Sequence, residues 1–172
     1  MGTTIQPEAW HDLYVMLGSA TAALLGLLFV AASLHVDEIV KNPVFERRVR
    51  NNTRHMLALL VEAAIVLTPQ PQAAAGWEIA AVNMLGLWIP VTFTYRMLVK
   101  ARAEARRGGW GVHRAAAYIM CYLLGAAGGL ILVQSVNGLY VITASYILIL
   151  VTVVLNAWRI MLGLSQPQKV RE

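Results

Sequence analysis

One acidic side chain, Glu62, interrupts an otherwise apolar run between His55 and Pro69. An ionised carboxylate inside hydrocarbon costs several kcal/mol unless it is paired or wet. Glu62 must therefore be protonated, paired, or facing a cavity. His55 precedes it by seven positions, which on a helix is nearly the same face and about 10 Å further along the axis. Asn83 falls at a comparable depth in the following apolar run if the two runs form a hairpin. Carboxyl, imidazole and amide on one side of a hairpin are groups that pass protons or hold small cations. In that reading Glu62 is the carrier, His55 an inner relay and Asn83 the partner. The same residues also suit a neutral glutamate hydrogen-bonded to a neighbouring helix as packing glue.

A second group is acidic and lies near the ends of apolar runs: Glu8, His11, Asp12 and Glu78, with Gln134 and Asn137 beside them. Without nearby basic residues it would form a negative rim that attracts cations, or simply cap and solvate helix ends. His11 and Asp12 are sequence neighbours without an i, i+4 ligand, a poor metal motif, so no metal site is expected. Gly18, Ala22 and Gly26 recur every four residues, and Gly125 and Gly129 repeat that spacing. Such strips let helices approach closely. They serve packing inside one chain, or a face between subunits. There is no phosphate loop, HExxH or GxSxG, and no pair of histidines in one run suited to haem. Neither an enzyme nor a cofactor is expected. The single cysteine, Cys121, excludes an internal disulfide and reads as an inert packing thiol.

The elements that must hold these groups follow from composition. The chain has 172 residues, 58% hydrophobic and 13% charged, where soluble domains carry roughly 25% charged residues. So little charge cannot cover a soluble surface. The expectation is a single all-α domain, an integral membrane bundle. A spanning helix needs about 20 apolar residues, and five spans are expected, 13–34, 52–69, 73–96, 115–136 and 139–159, the second with a shorter apolar run that carries Glu62. Lipid admits only helices or closed barrels, and runs of this length are helices. The first has no preceding Lys or Arg and is longer than a signal core, so it is expected to stay in the chain. Asn42 suits a helix cap and Pro43 a first helical position. The second helix is therefore expected from Pro43 to Thr68, with Glu46 four residues before Arg50. The third is expected to continue past Tyr95 through Arg107 and to stop at Gly108-Gly109.

The formal charge is +5, and all 14 Lys and Arg fall in three segments. Lys41, Arg47, Arg48, Arg50 and Arg54 lie between the first two spans. Arg96, Lys100, Arg102, Arg106, Arg107 and Arg114 lie between the third and fourth. Arg159, Lys169 and Arg171 lie at or after the end of the fifth. The positive-inside rule then sets the N-terminus outside and the C-terminus in the cytoplasm. Trp10, Tyr14, Trp77 and Tyr140 are expected at the outer interface, and Tyr95, Trp110, Tyr118 and Trp158 near the inner one. The basic loops would lie on an anionic leaflet. They lack a folded reader and interleaved aromatics, so no nucleic-acid partner is expected. The sequon Asn51-Asn52-Thr53 falls on the cytoplasmic side and is discounted.

The stretch from Trp10 through Gly18-Ser-Ala-Thr-Ala-Ala-Leu-Leu-Gly26 to Leu-Phe-Val-Ala-Ala-Ser-Leu34 resembles the first span of small polytopic inner-membrane proteins of actinobacterial type. The resemblance covers about 25 residues and otherwise only the layout of spans. It implies a bacterial cytoplasmic membrane and no particular activity. Two functions are expected from different classes. One is a homo-oligomeric channel- or transporter-like assembly, lined by spans one and two, that handles ions or protons at Glu62. The other is a non-catalytic accessory subunit of a larger membrane complex, with the bilayer, a second copy or another membrane protein as partner.

Overall fold

The computed structural model describes residues 7–101 and 109–164, which fold into helices with no strand among them. They are α1 (Pro7–Leu34), α2 (Val36–Lys41), α3 (Pro43–Leu67), α4 (Gln72–Ala101), α5 (Gly109–Gln134) and α6 (Gly138–Leu164). Four stretches are long and apolar enough to cross a membrane: Trp10–Leu34, Gln72–Thr92, Ala115–Gln134 and Gly138–Leu162. The remaining expected span, 52–69, falls on α3, whose first half is polar. Only Met56 to Leu67 of it is apolar apart from Glu62, about 18 Å of helix.

Local chemistry sets the boundaries. The Asn42 side chain accepts a hydrogen bond from the Val44 amide at 3.0 Å, and Pro43 opens α3. Glu46 pairs with Arg50 one turn later. Thr68 ends the helix with extended backbone (ψ 127°). The short α2 was not expected from the sequence. It forms because Ile39 reaches the core while Asp37, Glu38 and Lys41 stay exposed. The expected extension of α4 as far as Arg107 lies outside the described residues beyond Ala101. At the α5–α6 corner the Gly138 amide donates to the Ser135 carbonyl at 3.1 Å. A Cβ on Gly138 would collide with the backbone of Gly128 and Leu132, so only glycine permits so tight a corner.

Helices α3, α4, α5 and α6 pack as a ring in which each touches the next, and α1 lies against α3 and α6. α4 and α5 run antiparallel, the Gln72 amide at the start of α4 donating to the Leu132 carbonyl near the end of α5 at 2.6 Å, while α1 and α6 start side by side where Trp10 meets Tyr140 edge-on at 4.8 Å. The backbones of α4 and α5 nearly touch where Gly76 faces Gly129. A Cβ on Gly129 would lie 2.8 Å from the Gly76 carbonyl and from the Ala80 amide.

α3 is the hub, in contact with α1, α2, α4 and α6. Its buried positions are Asn52, His55, Met56, Leu59, Glu62 and Ala63, a stripe at helical spacing. Trp77, Tyr95, Tyr140 and Trp158 are exposed, as interfacial rings would be. Tyr14 and Tyr118 depart from the expected interfacial placement and are core residues. Their helix faces turn inward, and each ring finds a polar partner there that the lipid surface does not offer.

Candidate functional site

Glu62 is 2% exposed and points into its own bundle. Asn83, fully buried on α4, offers its amide to the carboxyl while also donating to the Ile79 carbonyl at 2.9 Å. Glu62 Oε1 and Asn83 Oδ1 are buried without a hydrogen-bond partner. No Lys, Arg or His pairs with Glu62 among the described residues. Three tyrosines from three helices stand within electrostatic reach of the carboxyl: Tyr14 on α1, Tyr122 on α5 and Tyr146 on α6.

Each of these tyrosines is oriented by a second contact. The Tyr14 hydroxyl lies 3.0 Å from Thr143 Oγ1, and the Tyr146 hydroxyl 3.0 Å from Thr21 Oγ1. Tyr122 reaches His55 Nδ1 at 2.7 Å. The Tyr122 ring packs against α4 where residue 86 is glycine; a Cβ there would collide with the ring. Gly125 makes room in the same way for the Asn83 amide and the Ser145 hydroxyl. Ser145 Oγ donates to the Cys121 carbonyl at 2.7 Å. Cys121 is buried and otherwise serves packing.

His55 crosses the ring diagonally to α5. Its imidazole stacks on Tyr118 with centroids 4.1 Å apart and planes 11° from parallel. Tyr122 thus touches His55 on one side and stands in the field of Glu62 on the other. Further along α3, the Asn52 amide donates to the Val153 carbonyl at 3.3 Å and accepts from Asn156 at 3.2 Å. Asn52, His55 and Glu62 therefore form one polar line inside the bundle. Hydroxyls and amides from the other helices flank it.

The remaining candidates are distributed differently. His11 and Asp12 contact each other at 3.3 Å and are exposed. Glu78 accepts from Gln70 at 3.0 Å, and the same amide bonds the Ile65 carbonyl at 3.1 Å, bracing the α3–α4 corner. The Glu8 side chain falls outside the described residues. No group of three or more His, Cys, Asp or Glu suited to a metal occurs among the described residues. Of the two small-residue strips, Gly125 and Gly129 are consumed inside the chain, against α4 and α6. Gly18 faces Ala63 of α3, whose methyl would lie 3.3 Å from a Cβ added at Gly18, while Ala22 and Gly26 are exposed and a Cβ at Gly26 would meet nothing within 4 Å.

The tyrosine ring was missed by sequence reasoning. Its available signal was the i, i+4 pair Tyr118 and Tyr122 and the mid-span position of Tyr146, where an aromatic hydroxyl needs a buried partner. No family model, no curated protein and no solved structure matches the chain.

Proposed function

We propose that the chain is a multi-pass membrane protein in which α1, α3, α4, α5 and α6 span the bilayer, N-terminus outside and C-terminus cytoplasmic, and that it moves protons or small cations past Glu62. The supporting observation is the carboxyl itself. It is buried, has no cationic partner among the described residues, and keeps one oxygen without a donor. A buried polar group left half-satisfied lowers stability, and intramembrane acids commonly mark ion or proton pathways. The neutral acid suits this environment at rest, and exchange of its proton or of a cation is the working step. Tyr122 and His55 offer the route toward the basic end of the bundle. Tyr14 and Thr143 offer the route toward the acidic end.

Glu62 faces the inside of one chain, which supports a pathway within each subunit over a pore on a shared axis lined by α1 and α3. Self-association through the outward side of α1 accompanies this reading and does not form the pathway. The sorting of basic residues supports the orientation, and the likeness of the first span supports a bacterial cytoplasmic membrane as the setting. The test is reconstitution of the purified chain in liposomes under an imposed potential, with a pH dye and then a sodium dye inside. Flux by the wild type and none by Glu62→Gln is the expected result. No flux by the wild type, or flux indifferent to Glu62→Gln, rejects the proposal.

The outward exposure of Ala22 and Gly26 favours a second reading, an accessory subunit whose α1 packs on another membrane protein. A stoichiometric companion retained in mild detergent and lost in Gly26→Leu would support it. A purely self-associated particle would count against it.

A further inference from the structure

An apolar cleft of about 110 Å³ opens between α1, α2, α3 and α6. Leu24 and Ala31 of α1, Ile39 of α2, Met56 of α3, and Ala157 and Ile160 of α6 form its walls. Alanines at positions 31, 32 and 157 leave room among the larger aliphatic side chains that line it. Along α1 it extends from Leu24 to Ala32, roughly 12 Å of helix. Apolar cavities of this order stay dry and accept hydrocarbon, as an engineered cavity of about 150 Å³ accepts benzene. A helix is about 10–12 Å across and does not enter such a notch, whereas an extended hydrocarbon chain does.

Basic residues stand next in sequence to one wall of the cleft. Val49 lines the wall, and Arg47 and Arg48 precede it directly on the first turns of α3. Lys41 closes α2 next to them. Arg50 is taken by Glu46, but Lys41, Arg47, Arg48 and Arg54 have no carboxylate partner among the described residues. Arg48 lies 5.9 Å from the centroid of the Phe45 ring. The acids on α2, Asp37 and Glu38, are exposed, while Ile39 turns inward to close the cleft. An apolar slot flanked on α2 and α3 by basic residues without carboxylate partners among the described residues suits a molecule with a hydrocarbon chain and an anionic head.

We propose that this cleft binds one acyl chain of an anionic phospholipid, whose phosphate rests on Arg47 and Arg48. The site is distinct from Glu62 and does not depend on transport. The full-length chain, delipidated in detergent, is offered phosphatidylglycerol and phosphatidylcholine in equal amounts, and retained lipid is read by native mass spectrometry. Phosphatidylglycerol is expected to dominate. Each removed arginine should lower its retention roughly fivefold, so Arg47→Gln with Arg48→Gln should bring it down to the phosphatidylcholine level. Ala157→Phe, which fills the slot and leaves the rim, should lower retention of both lipids. Equal retention of the two lipids by the wild type overturns the proposal. So does unchanged retention in the Ala157→Phe variant, which would leave only a charged surface. A dimer that Ala157→Phe dissociates would assign the cleft to a second copy and also overturn it. Should Ala157→Phe fail to fold, the arginine pair decides alone, and undiminished phosphatidylglycerol there rejects the site.

Discussion

Replacing Glu62 by leucine should make the protein more stable and inactive at once. Two terms decide the sign. The Glu62 carboxyl leaves Oε1 buried without a donor, and an unsatisfied buried acceptor costs about 1–3 kcal/mol. Leucine removes that atom at similar volume and extends the buried apolar core of the bundle. Against this stands the lost interaction with the Asn83 amide. Interhelical hydrogen bonds in membrane proteins average about 0.6 kcal/mol, and Asn83 keeps its bond to the Ile79 carbonyl. The difference favours Glu62→Leu by about 0.5–2 kcal/mol. Reversible unfolding in mixed micelles, monitored by tryptophan fluorescence, measures it. Glu62→Gln serves as the shape-preserving control, with stability near the wild type and no flux. Destabilisation of Glu62→Leu by more than about 1 kcal/mol would refute the reasoning. The carboxyl would then be acting as interhelical glue, and its burial would carry no argument for transport.

Three further outcomes follow from particular contacts. Gly129→Ala places a Cβ 2.8 Å from backbone atoms of Gly76 and Ala80 and should cost about 1–3 kcal/mol, while Gly26→Ala meets nothing within 4 Å and should cost none; equal melting temperatures would contradict the close α4–α5 crossing. Tyr122→Phe removes the hydroxyl 2.7 Å from His55 and should slow liposome flux for a stability loss of about 1 kcal/mol, so undiminished flux would remove Tyr122 and His55 from the route. Asn42→Ala deletes the α3 cap and should lower stability by about 1 kcal/mol, with amide exchange rising first around Val44 and no change expected at Glu62.

Much of the architecture is written in the composition, because hydrocarbon accepts only long apolar helices and expels charge to their ends. The α3 boundary is likewise local chemistry: Asn42 supplies an acceptor, Pro43 lacks a donor, and a helix starts there. The site was legible only in part. Glu62, His55 and Asn83 stand out because polar atoms in an apolar run are conspicuous one residue at a time. Their partners do not, because partnership depends on helix rotation. Tyr14 sits at the end of its span, where an aromatic ring normally marks the interface, yet its rotation about α1 aims the hydroxyl at Thr143 on α6. His55 and Tyr122 meet across the diagonal of the ring, between helices separated by the whole of α4 in the chain. The glycine strips show the same limit. Spacing identified both as close-approach surfaces, but only the three-dimensional fold distinguishes Gly129, buried against α4, from Gly26, which faces away from the bundle.

The helix with the least hydrocarbon character occupies the centre, and this ties the fold to the proposed activity. The apolar half of α3 covers about 18 Å of a hydrocarbon core near 30 Å, so alone it would partition poorly. Its inward line of Asn52, His55 and Glu62 becomes tolerable only when other helices supply partners: the Val153 carbonyl from α6, Tyr122 from α5 and Asn83 from α4. Two of the three find good hydrogen bonds. A bundle built for stability alone would carry leucine at all three positions, as it does at Leu59 between them. Asn52 and His55 can be explained as specificity devices, because their bonds fix the rotation of α3 against α5 and α6. Glu62 is explained in that way only in part: its contact with the Asn83 amide sets α3 against α4, while its unpartnered Oε1 fixes nothing. It is the member of the line whose chemistry exceeds its packing, and tyrosines from three other helices stand within electrostatic reach of it.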